Sequence, residues 1–239
     1  MSLPFFYTDE IKTTATQFVL NEETSKHVVQ VLRMQNGEQL LLTDGKGNLF
    51  NAEIIDNNRK KCAVNIFSIS TQSSPTKKNT IAISLVKNST RFEWFLEKAT
   101  EIGVHEIVPL LCSRTEKQHF RRDRMKSILI SAMLQSQQSR LPILHEPVKY
   151  NEYIKHVKED TDLQKFIAHC EEENSKKQLA NSILTNSVKR LILIGPEGDF
   201  TKEEITDALQ NNFLAVALGN TRLRTETAGV VAATLLCNY

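Results

Sequence analysis

The chain has little glycine, proline and cysteine for its length. Its 239 residues include 8 glycines, 6 prolines and 4 cysteines. This composition excludes a collagen-like repeat, a low-complexity linker and a disulfide-rich scaffold. Hydrophobic residues make up 40% and charged residues 24% of the chain, which is enough apolar mass for a folded core. The length allows one large domain or two small ones.

Sequence patterns that would indicate a metal site or a membrane segment are also missing. The cysteines (Cys62, Cys112, Cys170 and Cys237) contain no C-x-x-C pair, and the 6 histidines show neither H-E-x-x-H nor H-x-x-x-H spacing. We therefore expect no metal and reduced, buried cysteines. No apolar run approaches the ~18 residues of a membrane span, and the N-terminus lacks a signal-peptide pattern. We expect a cytoplasmic protein with no membrane partner.

A polar stretch at residues 70–79, with one proline and no apolar periodicity, predicts a domain boundary. We place the domains at residues 1–73 and 74–239. The first part carries short β-like runs, a hairpin signal at residues 44–48, and one helix that starts near Asn21 with Val28, Val31 and Leu32 on one face. The runs lie at residues 17–20, 39–43, 49–55 and 62–67. This pattern predicts a small β-barrel, a common recognition module.

Strands and helices alternate after the boundary. One predicted helix has Ser89 as its N-cap and Gly103 as its stop, and a second carries an apolar stripe from Met125 to Met133. The predicted strands lie at residues 80–86, 107–111, 165–169, 190–194 and 213–218. Such alternation predicts an α/β domain with a mostly parallel sheet covered on both faces.

Two glycine-containing loops follow the last strands. Residues 195–200 come after a strand that ends at Ile194, and Thr201 with Glu204 has the form of a capping box that opens a helix. Residues 219–228 follow the next strand in the same way. Ligands of open α/β sheets bind beyond the carboxyl ends of strands, so we expect a small-molecule site there. A simple turn into a helix would equally explain the glycines at 195 and 198. The sequence has no P-loop or G-x-G-x-x-G motif. A P-loop protein or a dinucleotide-binding fold is therefore not indicated.

The second loop and its partner resemble a known family. Residues 218–228 (LGNTRLRTETA) with residues 194–198 (IGPEG) are similar to the motifs of the bacterial 16S ribosomal RNA uridine N3-methyltransferases, the RsmE family of the trefoil-knot (SPOUT) superfamily. The resemblance extends over nearly the whole chain, through residues 27–33, Gly37, Lys87, 98–104, 107–109, 135–136 and 141–142.

This resemblance implies a small PUA-like RNA-binding β-barrel followed by an α/β trefoil-knot methyltransferase domain, a rare exception to unknotted chains. It implies a homodimer that acts on 16S ribosomal RNA of the small ribosomal subunit. It also implies that S-adenosyl-L-methionine is held by backbone groups of three loops. The implied cofactor-binding residues are Leu193, Ile194, Gly195, Pro196, Glu197, Gly198, Leu218, Gly219, Asn220, Leu223, Arg224, Thr225, Glu226 and Thr227.

The apolar C-terminal helix is a reasonable dimer face. It carries Val230, Val231, Ala233, Thr234 and Leu235. Burial in the core of its own chain would explain these residues equally well.

The expected chemistry assigns roles to a few charged residues. A sulfonium methyl is already activated, so the enzyme mainly aligns the uracil N3 with it. The N3 proton must leave, either to a base or after cationic stabilisation of the anion on O2 and O4. We expect Arg224 to be the main catalytic residue, with Lys87 and Arg91 in support. Glu101 and Glu197 are possible proton acceptors, although Glu197 would also suit a helix dipole.

A basic run from residue 113 to residue 126 carries six basic residues against two acidic ones. Such a run suits a phosphate backbone, and a solvated helix start is the alternative interpretation. The predicted RNA-binding residues are Arg33, Arg91, Arg114, Lys117, Arg121, Arg122 and Gln135.

Three residues depart from the family pattern. Asp199 stands where many relatives have a glycine, and Leu134 and Gln138 stand where relatives often have Glu and Arg. Two other functions stay open: a trefoil-knot enzyme with another RNA target, such as a ribose 2′-hydroxyl or guanine, and a non-catalytic ribosome-assembly factor that binds RNA.

Overall fold

A computed structural model of the chain describes residues 3–116, 119–171, 176–184 and 187–239. The chain forms two compact units. The first comprises the residues up to Ser74 together with Met133–Leu141, and the second comprises Pro75–Ala132 and Pro142–Tyr239. The return of residues 133–141 to the first unit was not anticipated from the sequence.

A five-stranded sheet forms the first unit. Its strands are β1 (Phe5–Tyr7), β2 (Gln17–Val19), β3 (Gln39–Thr43), β4 (Asn48–Asp56) and β5 (Ala63–Thr71), in the order β1-β3-β4-β5-β2. β1 runs parallel to β3, and the other pairs are antiparallel. Two register shifts between β4 and β5 bend the sheet, as β-bulges do. Leu40, Leu42, Phe50, Ile54 and Val64 fill the core on the inner face.

The helix of the first unit differs from its prediction. Asn21 caps α1 (Glu22–Lys26) by accepting the Thr24 N–H at 2.8 Å, and a π-helical turn (His27–Val31) follows directly. Val28 is fully buried, but Val31 and Leu32 are 67% and 43% exposed. The predicted common face is therefore wrong, because a π turn changes the angular spacing that the α-helical pattern assumed.

The second unit contains an eight-stranded sheet, and all of its strand pairs among the described residues are parallel. The strands are β6 (Lys78–Ser84), β7 (Glu106–Leu111), β8 (Ile143–Leu144), β9 (Val148–Lys149), β10 (Leu163–Ala168), β11 (Lys177–Gln178), β12 (Lys189–Ile194) and β13 (Leu214–Ala217). They follow the order β11-β13-β10-β12-β6-β7-β8, with β9 also paired to β7. The polar boundary stretch is shorter than predicted, since β5 reaches Thr71 and β6 begins at Lys78.

Further helices accompany this sheet: α2 (Ser89–Ile102), α3 (Arg122–Gln135), α4 (Tyr150–Val157), α5 (Leu179–Ser182), α6 (Lys202–Gln210) and α7 (Thr225–Asn238). Asn88, not Ser89, is the N-cap of α2, and its Oδ1 accepts the Thr90 N–H at 3.0 Å. Gly103 ends that helix at φ 93°, as predicted. No helix within the described ranges is long and apolar enough to cross a membrane.

A close approach at Gly229 packs α7 against the sheet. A Cβ on Gly229 would lie 2.7 Å from the Phe95 ring of α2 and 2.8 Å from Ile83 of β6. Only glycine lets the α7 backbone come this near. The approach fixes the first turn of α7 close to the carboxyl end of β6, and so places the loop before α7 at that edge of the sheet.

Candidate functional site

A cavity of about 690 Å³ lies at the carboxyl ends of β10, β12 and β13. Its volume is that of a pocket for a small organic molecule. The lining residues come from the ends of these three strands, the loops that follow them and the start of α7. They are Ala168, His169, Cys170, Lys176, Ile194, Gly195, Pro196, Glu197, Asp199, Val216, Ala217, Leu218, Gly219, Asn220, Thr221, Arg222, Leu223, Arg224, Thr225 and Ala228.

Ten of the residues predicted to bind a cofactor line this cavity. They are Ile194, Gly195, Pro196, Glu197, Leu218, Gly219, Asn220, Leu223, Arg224 and Thr225. Leu193, Gly198, Glu226 and Thr227 do not line it; Leu193 is instead fully buried in the core.

Sequence reasoning missed the contribution of β10. Ala168, His169 and Cys170 line the cavity from the end of this strand, together with Lys176. The strand itself was predicted, and the rule that parallel strands share one carboxyl edge was the signal that would have found these residues. Cys170 is exposed, so the expectation that it is buried is wrong, whereas Cys62 and Cys112 are buried and all four thiols are free.

The loop at residues 195–200 is compact because its backbone closes on itself. The Asp199 N–H donates to the Pro196 carbonyl at 2.9 Å. A Cβ on Gly195 would lie 3.1 Å from the Phe200 amide nitrogen and 3.1 Å from its ring. The Phe200 ring is buried beside Tyr150, with ring centroids 5.8 Å apart. Packing against Phe200 therefore disfavours a side chain at position 195.

The conformation and contacts of Asp199 explain why an aspartate fits at this position, where many relatives have a glycine. Its φ is 63°, in the left-handed region that glycine adopts freely and Asp tolerates better than most residues. Its two carboxylate oxygens accept the Phe200 N–H at 2.8 Å and the Cys170 N–H at 2.7 Å. The side chain thereby joins the loop after β12 to the end of β10.

The predicted capping box at the start of α6 is present. The Glu204 N–H donates to Thr201 Oγ1 at 3.2 Å, and the Thr201 N–H donates to Glu204 Oε2 at 2.9 Å. Glu204 Oε1 also accepts the Ser113 N–H at 2.8 Å, which joins this helix start to the loop after β7.

The second loop ends at the N-terminus of α7. Gly219 has φ 150°, and Arg224 is the N-cap residue of the helix, without a side-chain cap. The first N–H groups of a helix lack partners within the helix and carry partial positive charge, so this end of the cavity favours oxygen acceptors. Arg224 is exposed, and its guanidinium has no hydrogen-bond or ion-pair partner among the residues that the structure describes.

Lys87 lies in the loop between β6 and α2, and its charge is already matched. Its Nζ is 2.9 Å from Glu116 Oε2, and its backbone N–H donates to Glu197 Oε1 at 2.9 Å. Glu116 first, and then Glu197, raise the pKa of Lys87. The ammonium therefore stays charged through the neutral range.

Two other predicted charged residues lie on α2. Glu101 Oε1 is 3.0 Å from Lys98 Nζ, and Glu101 is not part of the cavity lining. Arg91 Nε is 3.7 Å from Glu226 Oε1. The buried Oε2 of Glu226 has no hydrogen-bond partner in the described part of the chain.

The predicted RNA-binding residues are divided among several environments. Arg114 donates to backbone carbonyls of the first loop, Arg122 pairs with Glu146 at 2.9 Å, and Arg121 is exposed. Arg33 and Gln135 are exposed residues of the first unit, and Lys117 lies outside the described residues.

A second cavity, of about 820 Å³, lies at the amino ends of β6, β7, β10 and β12. Several side chains there bond to each other. His145 Nε2 lies 2.5 Å from Glu106 Oε1, Thr80 Oγ1 donates to Glu106 Oε2 at 2.8 Å, and Lys189 pairs with Asp160 at 3.1 Å. In the described residues, no group of three or more His, Cys, Asp and Glu side chains could hold a metal ion.

The sequence matches two family profiles: an RNA methyltransferase domain over residues 72–237 and an RNA methyltransferase PUA domain over residues 20–67. The chain is 26% identical over 231 residues to the ribosomal RNA small subunit methyltransferase E of Bacillus subtilis, covering 91% of this chain and 88% of that protein.

Solved structures include chains that are similar over nearly the whole length of this one. A probable rRNA-methyltransferase from Porphyromonas gingivalis has a TM-score of 0.87 and 38% identity, covering 97% of this chain and 95% of the other. A ribosomal RNA small subunit methyltransferase E from Neisseria gonorrhoeae, bound to S-adenosyl methionine, has a TM-score of 0.85 and 28% identity, covering 97% and 95%.

The predicted fold class is confirmed by these similarities and by the two observed sheets. It is a small PUA-like β-barrel followed by an α/β trefoil-knot (SPOUT) domain with a mostly parallel sheet. On the profile match over residues 72–237, this chain belongs to the RNA methyltransferase family.

Proposed function

We propose that this protein transfers a methyl group from S-adenosyl-L-methionine to N3 of a uridine in 16S ribosomal RNA of the small subunit. The observation that carries the proposal is the cavity at the carboxyl ends of β10, β12 and β13, lined by both loops that resemble the uridine N3-methyltransferases. The relatives named ribosomal RNA small subunit methyltransferase E support the choice of RNA.

The residues of this cavity suit the cofactor. Apolar side chains such as Ile194, Val216 and Leu223 offer a face for an adenine ring, and the glycine loops expose backbone donors and acceptors. Gly195 and Gly219 keep the backbone accessible, since packing at one and a positive φ at the other disfavour a side chain. The bound cofactor would supply an activated methyl group.

Arg224 is the residue that we assign to the reacting base. Its unpaired guanidinium at the cavity can donate to the uracil O2 or O4 as negative charge develops there. Lys87 supports this role less directly, because its ammonium is paired with Glu116.

Glu197 is the better placed of the two candidate proton acceptors. It lines the cavity, is exposed, and accepts the Lys87 N–H through Oε1, which leaves Oε2 for a proton. Glu101 is held by Lys98 outside the cavity lining, and its role stays a prediction.

Binding of the RNA is assigned to both domains. Residues 1–73 would form the recognition domain, with Arg33 at its surface, and residues 74–239 the methyltransferase domain, with the exposed Arg121. The substrate nucleotide would be single-stranded or flipped out of its stack, because N3 is otherwise engaged in pairing. A protein acting on ribosomal RNA would be cytoplasmic.

A homodimer is the assembly that we propose. One side of α7 buries Ala232, Ala233 and Leu236 in its own unit, while Val230, Val231 and Leu235 stay partly exposed. Trp94 of α2 is 42% exposed. A second copy would cover such apolar side chains, and light scattering on the purified protein tests for a mass twice that of the chain.

The test of the function is the identity of the methylated nucleoside. Small subunits lacking the modification are incubated with the protein and methyl-labelled cofactor, and the RNA is digested and analysed by mass spectrometry. N3-methyluridine supports the proposal. Methylation of a ribose 2′-hydroxyl or of guanine would replace it by another target. A folded protein that neither binds the cofactor nor methylates RNA would favour the ribosome-assembly factor.

A further inference from the structure

We infer that Arg114 is a positioning residue for the cofactor loop at residues 195–200. The inference rests on the proposed function, since it assumes that this loop holds S-adenosyl-L-methionine. The sequence placed Arg114 in a basic run suited to RNA, but its contacts give it a different task.

The guanidinium of Arg114 bonds to the loop itself. Its Nη1 donates to the Gly198 carbonyl at 2.6 Å and to the Phe200 carbonyl at 3.3 Å. Hydrogen bonds from a charged donor are shorter and stronger than neutral ones. The two N–H groups of this one nitrogen are held in the guanidinium plane, so they fix the direction of both bonds, whereas the donors of an ammonium rotate.

Gly198 leaves room for this side chain. A Cβ on Gly198 would lie 3.3 Å from Arg114 Cδ and 3.7 Å from its Cβ. The φ of Gly198 is not in the left-handed region, and Gly198 does not line the cavity. A side chain at position 198 would therefore press on the stem of Arg114, which lies across it.

The segment that carries Arg114 is fixed on both sides. Thr115 Oγ1 accepts the Cys112 N–H at 2.8 Å and lies 2.9 Å from Ser84 Oγ in a buried contact. The Ser113 N–H donates to Glu204 at the start of α6. The backbone that precedes and follows Arg114 is thus anchored, so the side chain starts from a preorganised position.

Three anchors then hold the cofactor loop along its length. Glu197 accepts the Lys87 N–H, Asp199 accepts the Cys170 N–H, and Arg114 binds the carbonyls of Gly198 and Phe200. Loss of Arg114 frees the carbonyls at the end of the loop, next to the turn that shapes the cavity. A phosphate could reach this exposed guanidinium only through Nε and Nη2, and contact there would leave the bonds of Nη1 to the loop in place.

Two measurements separate a positioning role from a phosphate contact. The first is calorimetric titration of S-adenosyl-L-methionine into the purified full chain. We expect Arg114→Ala to lower the affinity about tenfold, in line with the loss of charge-assisted hydrogen bonds. Arg114→Lys should recover part of the loss, because lysine keeps a charged donor but not the planar pair of N–H groups.

The second measurement is the salt dependence of binding to small-subunit ribosomal RNA without cofactor. Each phosphate contact contributes about 0.7 to 0.9 to the slope of log K against log salt. Arg114→Ala should leave the slope of the parent unchanged. Arg121→Ala, an exposed arginine seven positions further along the chain, is the matched control and should reduce the slope without changing cofactor affinity.

A double-mutant cycle tests whether a substitution at Gly198 affects cofactor binding through Arg114. Gly198→Ala should weaken cofactor binding by displacing Arg114, and should have little further effect in the Arg114→Ala background. Equal thermal midpoints of parent and variants exclude unfolding as the cause. If Arg114→Ala folds poorly, Arg114→Lys and Gly198→Ala still carry the test.

The inference is overturned if Arg114→Ala binds the cofactor as the parent does, or if it lowers the salt slope as Arg121→Ala does. A parent that fails to bind S-adenosyl-L-methionine would instead refute the proposed function, so the two failures are distinguishable.

Discussion

The two ends of the parallel sheet hold cavities of similar size and very different chemistry. The amino-end cavity is the larger, at about 820 Å³ against about 690 Å³. Several of its polar side chains are engaged with each other, as in the His145–Glu106 and Lys189–Asp160 pairs. At the carboxyl end, side chains bond to backbone groups of the loops, and Arg224 keeps an unpaired charge within the described chain.

The difference shows that volume does not identify a site. In a parallel sheet the loops at the carboxyl ends lead into helix N-termini, whose N–H groups need partners from outside the helix. The start of α7 lies at the 690 Å³ cavity. At the amino ends of the strands Glu106 pairs with His145 and Asp160 with Lys189, so a ligand of these groups would have to displace existing bonds.

The largest expected effect is at the carboxyl end. Arg224→Ala should lower kcat about 100- to 1000-fold, the usual loss when one donor to a developing anion is removed. Cofactor affinity should change little, because the proposed role of the guanidinium is on the base. Steady-state kinetics with ribosomal RNA and calorimetry with the cofactor measure the two quantities. Arg224→Lys should restore part of kcat, and a rise in KM with kcat unchanged would reduce Arg224 to a binding residue.

At the amino end, Arg190→Met should affect stability and not chemistry. Arg190 is fully buried in β12 and donates to the carbonyls of Leu236 at 3.0 Å, Leu184 at 3.0 Å and Tyr239 at 3.3 Å. Burying these acceptors without a donor should lower the free energy of unfolding by about 2 to 4 kcal/mol.

Urea denaturation measures that loss. The neighbouring Lys189→Met, which removes a half-exposed ion pair with Asp160, should cost less than about 1 kcal/mol. Equal losses for the two variants would contradict the role given to Arg190.

A third prediction concerns Cys170, the exposed thiol at the carboxyl-end cavity. Desolvation first, and then Asp199, raise the pKa of Cys170. The thiolate is the reactive form, so alkylation by iodoacetamide should be slow at neutral pH and accelerate as the pH rises above 9. Bound S-adenosyl-L-methionine should protect the thiol.

Mass spectrometry of the alkylated protein locates the modified residue. The buried Cys62 and Cys112, whose pKa values burial raises to about 11 and about 12, serve as unreactive internal controls. Alkylation of Cys170 at the same rate with and without cofactor would place the cofactor elsewhere.

The smallest effect is expected for the exposed pair at the amino end. His145→Gln removes a contact with Glu106 in which both side chains are partly exposed, so stability should fall by less than about 1 kcal/mol. Methyl transfer should match the parent in both kcat and KM. A clear loss of activity would show that the two ends of the sheet are not separate in function.

Local patterns in the sequence predicted much of the fold correctly. The capping box at Thr201 and Glu204, the stop at Gly103 and the strand at residues 39–43 are present as expected. These features depend on residues close together in the chain. The predicted apolar face of the helix after Asn21 was wrong, because the helix continues as a π turn that leaves Val31 and Leu32 exposed.

The sequence by itself determined the strand-loop-helix order and the glycines that let two loops approach a small molecule. Turn, cap and strand preferences are properties of short segments, and they act before any tertiary contact forms. Only the tertiary structure decided that β10 adds Cys170 to the same cavity, that Asp199 joins two loops, and that Arg114 binds the carbonyls of Gly198 and Phe200. Those partners lie tens of residues apart in the chain, and the order of strands in the sheet brings them together.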